Sequence, residues 1–417
     1  MSHAMMISLG LLVVCFVIRM PIAIGMIISS TLYLAVKGMD PSVVVEIFTS
    51  KMYNNFILLA VPLFIFAANI MNSSKVTDKI FDFSKVLVGR WKGGLGHVNV
   101  IASLIFSGMT GSAVADASGL GIMEIEAMRK EGYDDGFSAA ITAGSAVIGP
   151  IFPPSIPLVI YGVIAGASIG NLFLAGMVPG IILALALCIY VCYIANKRNY
   201  PSGKRYAGME FVRMTVSAIP ALLTPVILLM GIYTGIMTAT EAGAVAALYA
   251  LIISVFAYRS NTVRSTGQIG IMLGAAYVFS YVIAVENLPS LAGSLILSFA
   301  TTKVSFLIFV NILLFILGML LDSAVLQLVL LPILCPIAQS FGIDMVHFGV
   351  VFTLNTMIGL CTPPFGMLLF IVTGISGEKM NTIIKEIMPM VFVMVLVLIL
   401  VTFVPDVIMW LPRLFGR

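Results

Sequence analysis

The chain has 417 residues, of which 60% are hydrophobic and 10% are charged, whereas a soluble domain carries about 25% charged residues. So few charges cannot cover a surface in water, and the composition therefore excludes a soluble globular protein and indicates that a bilayer is the solvent. The net charge of +4 comes from basic residues scattered over short loops, which argues against a nucleic-acid-binding surface.

Apolar runs divide the chain into predicted membrane spans. The first run, residues 2–18, has no basic n-region and no small-x-small cleavage site, so we expect no cleavable signal peptide. Two other stretches, 95–127 and 305–338, are too long for one crossing. The remaining spans are predicted near 20–36, 54–72, 137–162, 171–195, 213–236, 241–258, 268–285, 347–372 and 388–411.

Basic residues are distributed unequally around the two long stretches. Residues 75–92 contain five Lys and Arg residues, whereas the matching residues 285–302 contain none. Residues 129–136 contain two, and the matching residues 339–346 contain none. Because basic loops stay on the cytoplasmic side, the two halves are predicted to be inverted copies. Further cytoplasmic loops are predicted at 197–205 and around Arg259 and Arg264, with both termini on the periplasmic side.

Each long stretch is predicted to return to the side from which it starts. A re-entrant helical hairpin fits this topology, with one tip around Ser107–Ser112 and its inverted counterpart around Gly318–Ser323. A pair of full crossings is the alternative, but the tips are rich in glycine and hydroxyl groups instead of interfacial charge. Residues 75–92 interleave charged and apolar positions, which is typical of an amphipathic arm at the membrane surface.

A repeat supports the inversion. Residues 101–166 reappear without a gap at 311–376, so that Gly108-Met109 matches Gly318-Met319 and Pro153-Pro154 matches Pro363-Pro364. Gly and Pro interrupt helices, so a pattern of interruptions is what repeats. Paired, interrupted apolar segments at matching places in two halves point to the binding site of a transporter.

The interruptions predict two cation sites. Proline removes backbone donors and leaves carbonyl groups of the preceding turn unpaired, and such oxygens suit a small hard cation. Kinks that only aid helix packing are the alternative. We predict two Na⁺ sites, each between one hairpin tip and one helix break: Ser107, Gly108, Thr110, Ser112, Gly149 and Phe152 for the first, and Gly318, Met319, Asp322, Asn355, Gly359 and Thr362 for the second.

A second group of residues is predicted to bind substrate or to couple ions: Asp116, Pro154, Ser155 and Pro364. A charge at membrane depth is costly, and it is therefore a functional candidate. A helix cap is the alternative for Asp116. Glu124 and Glu126 are expected at the membrane interface near the cytoplasmic loop at 129–136. No resident cofactor is expected, because no His or carboxylate accompanies the cysteines in a metal-ligand pattern.

Four segments resemble the large membrane subunit of TRAP transporters, the tripartite ATP-independent periplasmic carriers. They are Ser107-Gly-Met-Thr-Gly-Ser-Ala-Val-Ala-Asp116, the proline-rich run from Gly149 to Gly162, Gly318-Met-Leu-Leu-Asp322, and Asn355 to Gly366. The resemblance implies an elevator-type carrier driven by Na⁺ in the bacterial inner membrane. It also implies a separate four-helix membrane subunit and a periplasmic binding protein that delivers an organic acid, of the sialic acid or C4-dicarboxylate class. Asn54-Asn55-Phe56 departs from the family pattern, which puts a partner contact there in doubt.

Together these features predict an all-α polytopic membrane protein with two inverted repeats, each with a re-entrant hairpin and a broken helix. Residues 93–170 and 303–376 are predicted to form the moving transport unit, and 1–92, 171–302 and 377–417 the scaffold. A stand-alone Na⁺/dicarboxylate symporter without a binding protein is the alternative function. A channel is disfavoured by the broken half-helices, and an enzyme by the absence of a nucleophile–base pair.

Overall fold

The structure is a computed structural model that describes residues 3–18, 20, 22–54, 60–72, 76–204, 206, 208–254, 278, 281–282, 285–286, 296 and 300–416. Helices are the regular elements of these residues. In chain order they are α1 (His3–Val17), α2 (Ile22–Val36), α3 (Ser42–Asn54), α4 (Ala60–Asn72), α5 (Val76–Val88), α6 (Gly94–Thr110), α7 (Ala113–Lys130), α8 (Asp135–Ala146), α9 (Ile156–Ala165), α10 (Ile169–Arg198), α11 (Met209–Tyr233), α12 (Ala239–Ile252), α13 (Lys303–Gly318), α14 (Ser323–Ser340), α15 (Met345–Leu360), α16 (Met367–Ser376), α17 (Met380–Phe403) and α18 (Asp406–Phe415).

Two helical hairpins occupy the two long apolar stretches, α6–α7 and α13–α14. The first turns at Gly111, whose φ of 59° is the left-handed conformation that glycine adopts without strain. Ser112 then caps α7 by accepting a hydrogen bond from the Ala115 amide at 3.3 Å. Asp322 caps α14 in the same way, through the Ala324 amide at 2.8 Å. Each tip therefore follows from a residue that ends one helix and a residue that begins the next.

Each hairpin is followed by a helix that breaks in the middle. In the first repeat α8 ends at Ala146 and α9 begins at Ile156, and in the second α15 ends at Leu360 and α16 begins at Met367. The breaks coincide with the two Pro-Pro pairs, since proline has no backbone N–H to continue a helix. Ser155 restarts α9 as its N-cap, with its hydroxyl accepting from the Leu158 amide at 3.1 Å.

The two repeats interlock through equivalent elements. The half-helix α9 of the first repeat packs on α14 of the second hairpin, and α16 of the second repeat packs on α7 of the first. This reciprocal packing is what an inverted repeat produces. The long helices α10 and α17 lie against this centre, on α6, α8 and α15, whereas α4, α5, α11 and α12 form a neighbouring layer.

The outer surface is that of a multi-pass membrane protein. Four of the described helices, α10, α11, α14 and α17, are long and apolar enough to span a bilayer. Their surfaces carry exposed large apolar side chains such as Ile189, Val216 and Phe392. Such side chains are stable against lipid but not against water.

Polar contacts join the start of α8, the end of α10 and the first turns of α17. The Arg198 guanidinium donates to both carboxylate oxygens of Glu386 at 2.9 Å and to Asp134 at 2.9 Å. Tyr200 donates to Asp134 at 2.6 Å. Burial, and then this hydrogen bond, raise the pKa of the Tyr200 hydroxyl. The cluster fixes the ends of three helices that belong to different parts of the chain.

The elements differ from the sequence predictions in three places. Helix α3 was not predicted, and the final apolar run 388–411 divides into α17 and α18 after Phe403. Glu124 is buried inside the first hairpin and not at the interface, so that prediction is wrong. Most of the predicted span 268–285, the loops around Arg259 and Arg264, and Asn55 and Phe56 lie outside the described residues.

Candidate functional site

The first hairpin tip lies directly against the first helix break. A Cβ atom on Gly111 would lie 2.5 Å from the carbonyl oxygen of Pro154, and one on Gly149 would lie 3.4 Å from the carbonyl carbon of Ser112. A Cβ atom on Gly108 would lie 3.9 Å from the carbonyl oxygen of Pro153 in the same break and 2.8 Å from Cβ of Pro225 on α11. Glycine is therefore required here for close approach of two backbones. The structure brings together Gly108, Ser112 and Gly149, which are predicted for the first Na⁺ site, and Pro154, which is predicted for substrate or coupling.

The hydroxyl groups of this first site are mostly engaged locally. Ser107 donates to the carbonyl of Ser103 and Thr110 to that of Phe106, each one turn back on α6. A hydroxyl that donates in this way keeps lone pairs that can contact a cation. Ser155 donates to the carbonyl of Pro150 while it caps α9, so its role in the structure is to shape the break.

The second tip meets the second break in the same manner. A Cβ atom on Gly359 would lie 2.6 Å from the carbonyl carbon of Gly318. Beside this contact the hydroxyl groups of Ser323 and Thr356 are 2.9 Å apart. Thr362 donates to the Ile358 carbonyl at 2.7 Å. Gly318, Gly359 and the tip residues are thus together, as the spacing predicts.

Three predicted residues lie apart from the tips. Asn355 turns away and donates to the side-chain oxygen of Asn311 on α13 at 2.7 Å, facing a separate cavity between α13, α15 and α17. The ring of Phe152 is directed at α10, since a Cβ on Gly180 would lie 3.0 Å from the Phe152 Cβ. Pro364 is exposed, whereas its repeat counterpart Pro154 is buried.

Sequence reasoning omitted Thr356 from the second site. Thr356 is one turn before Gly359 on α15, and a helical turn of three or four residues shares a face. Asn355 lies four residues before Gly359, so the spacing allows both residues, and only the packing selects Thr356, which meets Ser323, over Asn355, which meets Asn311. Ser323 belongs to the predicted second tip, whose oxygens are expected to form half of the second site.

Unpaired backbone oxygens collect at both breaks. Among the described residues no N–H or O–H group donates to the carbonyl oxygens of Gly149, Phe152 or Pro154 in the first break. The same holds for the carbonyl oxygens of Pro363 and Pro364 in the second. Buried carbonyl groups nearly always have a partner, so those of the buried Gly149 and Pro154 indicate a ligand or water site. Phe152 and Pro363 are half-buried and Pro364 is exposed, so water can reach their carbonyl groups. No group of three His, Cys, Asp or Glu that could hold a metal occurs in the part of the chain that the structure describes.

Both hairpin tips line one cavity of about 190 Å³. Ser112 contributes from the first tip and Asp322 from the second, and these two residues are equivalent in the repeat. Both tips therefore face a single chamber near the centre of the interlocked repeats. The lining residues are Gly111, Ser112, Ala113, Val114, Pro150, Ile156, Pro157, Ile160, Asp322, Ser323, Ala324, Met357 and Leu360.

The predicted substrate or coupling residues are not among those that line this chamber. Pro154 and Ser155 are buried behind it in the first break, and Asp116 is buried inside the first hairpin. Asp116 lies one turn after the tip, in the first turn of α7, but its carboxylate makes no capping hydrogen bond. Ser112 is the cap instead.

Inverted hairpins whose tips meet broken helices around a central chamber define a membrane transporter with binding sites at the repeat interface. A comparison with known protein families identifies the kind of transporter. Residues 9–407 match the family model of the tripartite ATP-independent periplasmic transporter, DctM component. The chain therefore belongs to this family, the large permeases of TRAP transporters.

Several relatives are similar over most of their length. The sialic acid TRAP transporter large permease protein SiaM of Vibrio cholerae is 42% identical, with 87% of each chain covered. The sialic acid TRAP transporter permease protein SiaT of Haemophilus influenzae is 39% identical over 99% of this chain and 69% of its own length. The C4-dicarboxylate TRAP transporter large permease protein DctM of Pseudomonas aeruginosa is 33% identical, with 90% of each chain covered.

A solved structure shares the fold. The crystal structure of the YdaH transporter of Alcanivorax borkumensis superimposes with a TM-score of 0.62 over 86% of each chain, at 12% sequence identity. At this identity the likeness concerns the fold alone.

Proposed function

We propose that the chain is the large permease of a Na⁺-coupled importer of an organic acid, working by an elevator mechanism in the bacterial inner membrane. The observation that carries the proposal is one chamber lined by both tips, by Pro150 of the first break and by Leu360 where the second break begins, with unpaired carbonyl oxygens elsewhere in the two breaks. Two equivalent oxygen-rich sites beside one space between the tips are what coupled binding of ions and substrate requires.

Na⁺ binding organises the chamber in this mechanism. The carbonyl oxygens of each break and the hydroxyl or carboxylate oxygens of each tip supply hard ligands. A bound cation bridges tip and break, and it also brings positive charge next to the chamber. An anionic substrate is then attracted to the chamber, where the N-terminal ends of α7, α9 and α14 add their positive partial charge.

The substrate is proposed to be an acid of the sialic acid class. The sialic acid relatives are 42% and 39% identical, against 33% for the C4-dicarboxylate relative. The chamber of about 190 Å³ is smaller than the roughly 300 Å³ at which pockets for larger ligands begin. A sugar acid therefore requires the two tips to separate, and their closure over the substrate is part of the cycle.

Transport then moves the loaded unit across the bilayer. The moving unit comprises residues 93–170 and 303–376. The packing favours adding α10 and α17 to it, because they lie chiefly on α6, α8 and α15, although Phe173 of α10 also packs on Phe64 of α4. The scaffold is the layer of α4, α5, α11 and α12 with the N-terminal helices. A separate small membrane subunit stabilises this scaffold, and a periplasmic binding protein delivers the substrate.

The proposed function is tested at Asp322. The complete complex is reconstituted in vesicles, and uptake of labelled sialic acid is measured as the Na⁺ concentration is varied. Asp322→Ala and Asp322→Asn both remove a negative charge from the second site, but Asn also caps helices well. Loss of a charge-assisted contact corresponds to about a tenfold or larger rise in the Na⁺ needed for half-maximal uptake.

The matched control is Asp344→Asn. Asp344 is also an N-cap aspartate, accepting from the Val346 amide at 2.7 Å, but it caps α15 away from both tips. Its substitution is expected to leave the Na⁺ dependence unchanged. Wild-type-like Na⁺ dependence of both Asp322 variants contradicts the role of Asp322 in ion coupling. Undiminished uptake without the binding protein favours the stand-alone symporter instead.

A further inference from the structure

Two carboxylates are buried inside the first hairpin, away from the tip. Asp116 and Glu124 are each 1% exposed and lie two turns apart on one face of α7. Their negative charges repel each other when both are ionised. Neither residue belongs to the proposed Na⁺ sites, so their burial has a separate physical reason.

A chain of polar side chains from three helices surrounds them. The Asn99 amide of α6 donates to Glu124 Oε2 at 2.8 Å and to Thr142 Oγ1 at 2.7 Å. The Ser145 hydroxyl of α8 donates to Asn99 Oδ1 at 2.7 Å. The Ser103 hydroxyl is 3.1 Å from Ser145 Oγ and also lies beside Asp116. The network is continuous from Glu124 to the neighbourhood of Asp116.

The network lacks donors for the carboxylates. Both oxygens of Asp116 and Oε1 of Glu124 have no hydrogen-bond partner among the described residues. Two ionised carboxylates at this depth would be strongly unfavourable, because buried charges require a partner. Three buried acceptor atoms without a donor therefore indicate that this site binds a proton or a cation.

Charged groups on the surrounding helices do not supply a counter-ion. On α7 itself, Arg129 pairs with Asp135 at the start of α8, and Lys130 pairs with the exposed Glu126. On α6 the titratable group is His97, which is buried against Trp91 at the start of the helix.

The remaining helices packed on α7 are α4, α5 and α16. The described parts of α4 and α16 contain no titratable residue. Helix α5 carries Asp78, Lys79, Asp82 and Lys85, of which Lys85 bridges to Asp82 and covers the ring of Phe81. No contact between these groups and Asp116 or Glu124 occurs in the described structure.

The second repeat shows that the hairpin does not need these polar groups to fold. A shift of 210 residues places Leu326 and Leu334 at the positions of Asp116 and Glu124. The same shift places apolar residues at three further network positions: Phe309 for Asn99, Leu313 for Ser103 and Phe352 for Thr142. Only Ser145 has a polar counterpart, Asn355, so one fold accommodates a carboxylate pair in one copy and two leucines in the other.

We propose that Asp116 and Glu124 form a proton-binding site that holds one proton at neutral pH. A proton fits better than a metal cation, because the Asn99 amide group points its hydrogens at Glu124 and Thr142, where a cation would be repelled. The proton resides chiefly on Glu124. Asp116 keeps its charge because it lies in the first turn of α7, where the helix dipole favours an anion.

Infrared spectroscopy of the full-length protein in lipid tests the site independently of transport. At about pH 7, well above the ordinary glutamate pKa of about 4.3, the wild-type protein is expected to show the carbonyl band of a protonated carboxylic acid. The band should shift when glutamate is labelled with ¹³C and disappear in Glu124→Gln. Gln keeps an oxygen for the Asn99 amide, so the variant retains the network and the fold.

Two further variants complete the test. Asp116→Asn removes the neighbouring negative charge, so the Glu124 band should titrate away at a lower pH than in the wild type. Glu126→Gln is the matched control, since Glu126 is exposed on the same helix and pairs with Lys130; its band should be unchanged. A wild-type spectrum without the band at about pH 7, or a band that persists in Glu124→Gln, overturns the proposal.

Discussion

Single glycines determine how closely the tips approach the breaks. Gly111 is the clearest case, because it combines a left-handed backbone with contact to the carbonyl oxygen of Pro154. The first requirement is local and concerns the end of α6. The second concerns a segment more than forty residues away in sequence and depends on the tertiary structure. The two requirements can be separated experimentally, because Gly166 has only the first.

We predict that Gly111→Ala abolishes most uptake, whereas Gly166→Ala does not. Both glycines end a helix with positive φ, 59° and 66°, so each substitution costs about 1–2 kcal/mol of backbone strain. Only the Gly111 Cβ meets another atom, since Gly166 has open space around it. Uptake per folded protein and thermal unfolding are measured for both. Equal losses of uptake in the two variants would show that strain, and not the tip contact, is responsible.

At the scale of the secondary-structure elements, each hairpin docks on a broken helix. In the second repeat α13 and α15 cross with Gly318 and Gly359 in backbone contact, which side chains larger than glycine do not permit. The close crossing places the tip oxygens beside the second break and brings Ser323 to Thr356. The geometry of the second site therefore depends on this crossing.

Gly359→Ala is expected to push α13 away from α15 and to weaken Na⁺ dependence of uptake. Its Cβ would lie 2.6–2.9 Å from three backbone atoms of Gly318, and backbone cannot give way as a flexible side chain does. Overpacking of this kind costs about 1–3 kcal/mol. Gly374→Ala on α16 is the control, because nothing lies within 4 Å of its Cβ position. Unchanged Na⁺ dependence in Gly359→Ala would argue against a site at this crossing.

At the scale of the molecule, two sets of helices are expected to slide past each other. The interlocked hairpins and broken helices meet the α4–α5–α11–α12 layer mainly through α6, with smaller contacts of α7 to α4 and α5 and of α9 to α4. The N-terminus of α10 and the end of α11 come close at Gly170 and Ile232. A Cβ atom on Gly170 would lie 3.5 Å from Cγ2 of Ile232. Motion of one set against the other must separate this pair.

A disulfide between Gly170→Cys and Ile232→Cys is therefore predicted to block uptake, and reduction to restore it. The spacing is compatible with a disulfide after small adjustments. The control pair is Gly243→Cys with Leu63→Cys, whose Cβ atoms would lie 3.4 Å apart, and both residues belong to the scaffold. Cross-linking of that pair should leave uptake intact. Full uptake with the Gly170–Ile232 disulfide formed would contradict the elevator mechanism.

The sequence alone determined the membrane class, the inverted repeat, the two hairpins and the two breaks. These features follow from composition and from Gly and Pro, whose effect on the backbone is local and does not depend on neighbours. The tip at Gly111 and the break at Pro153-Pro154 could be located to within a few residues for this reason. Family membership was also readable, because the motifs at the tips and breaks are contiguous in sequence.

Only the tertiary structure decided which side chains share a space. It turned Asn355 towards Asn311 and Thr356 towards Ser323, exposed Pro364 while burying Pro154, and buried Glu124 beside a polar network. The sequence could not select among these, because a helix presents every face equally until other helices pack on it. Which face becomes interior is a property of the assembled repeats, and the chamber between the two tips exists only there.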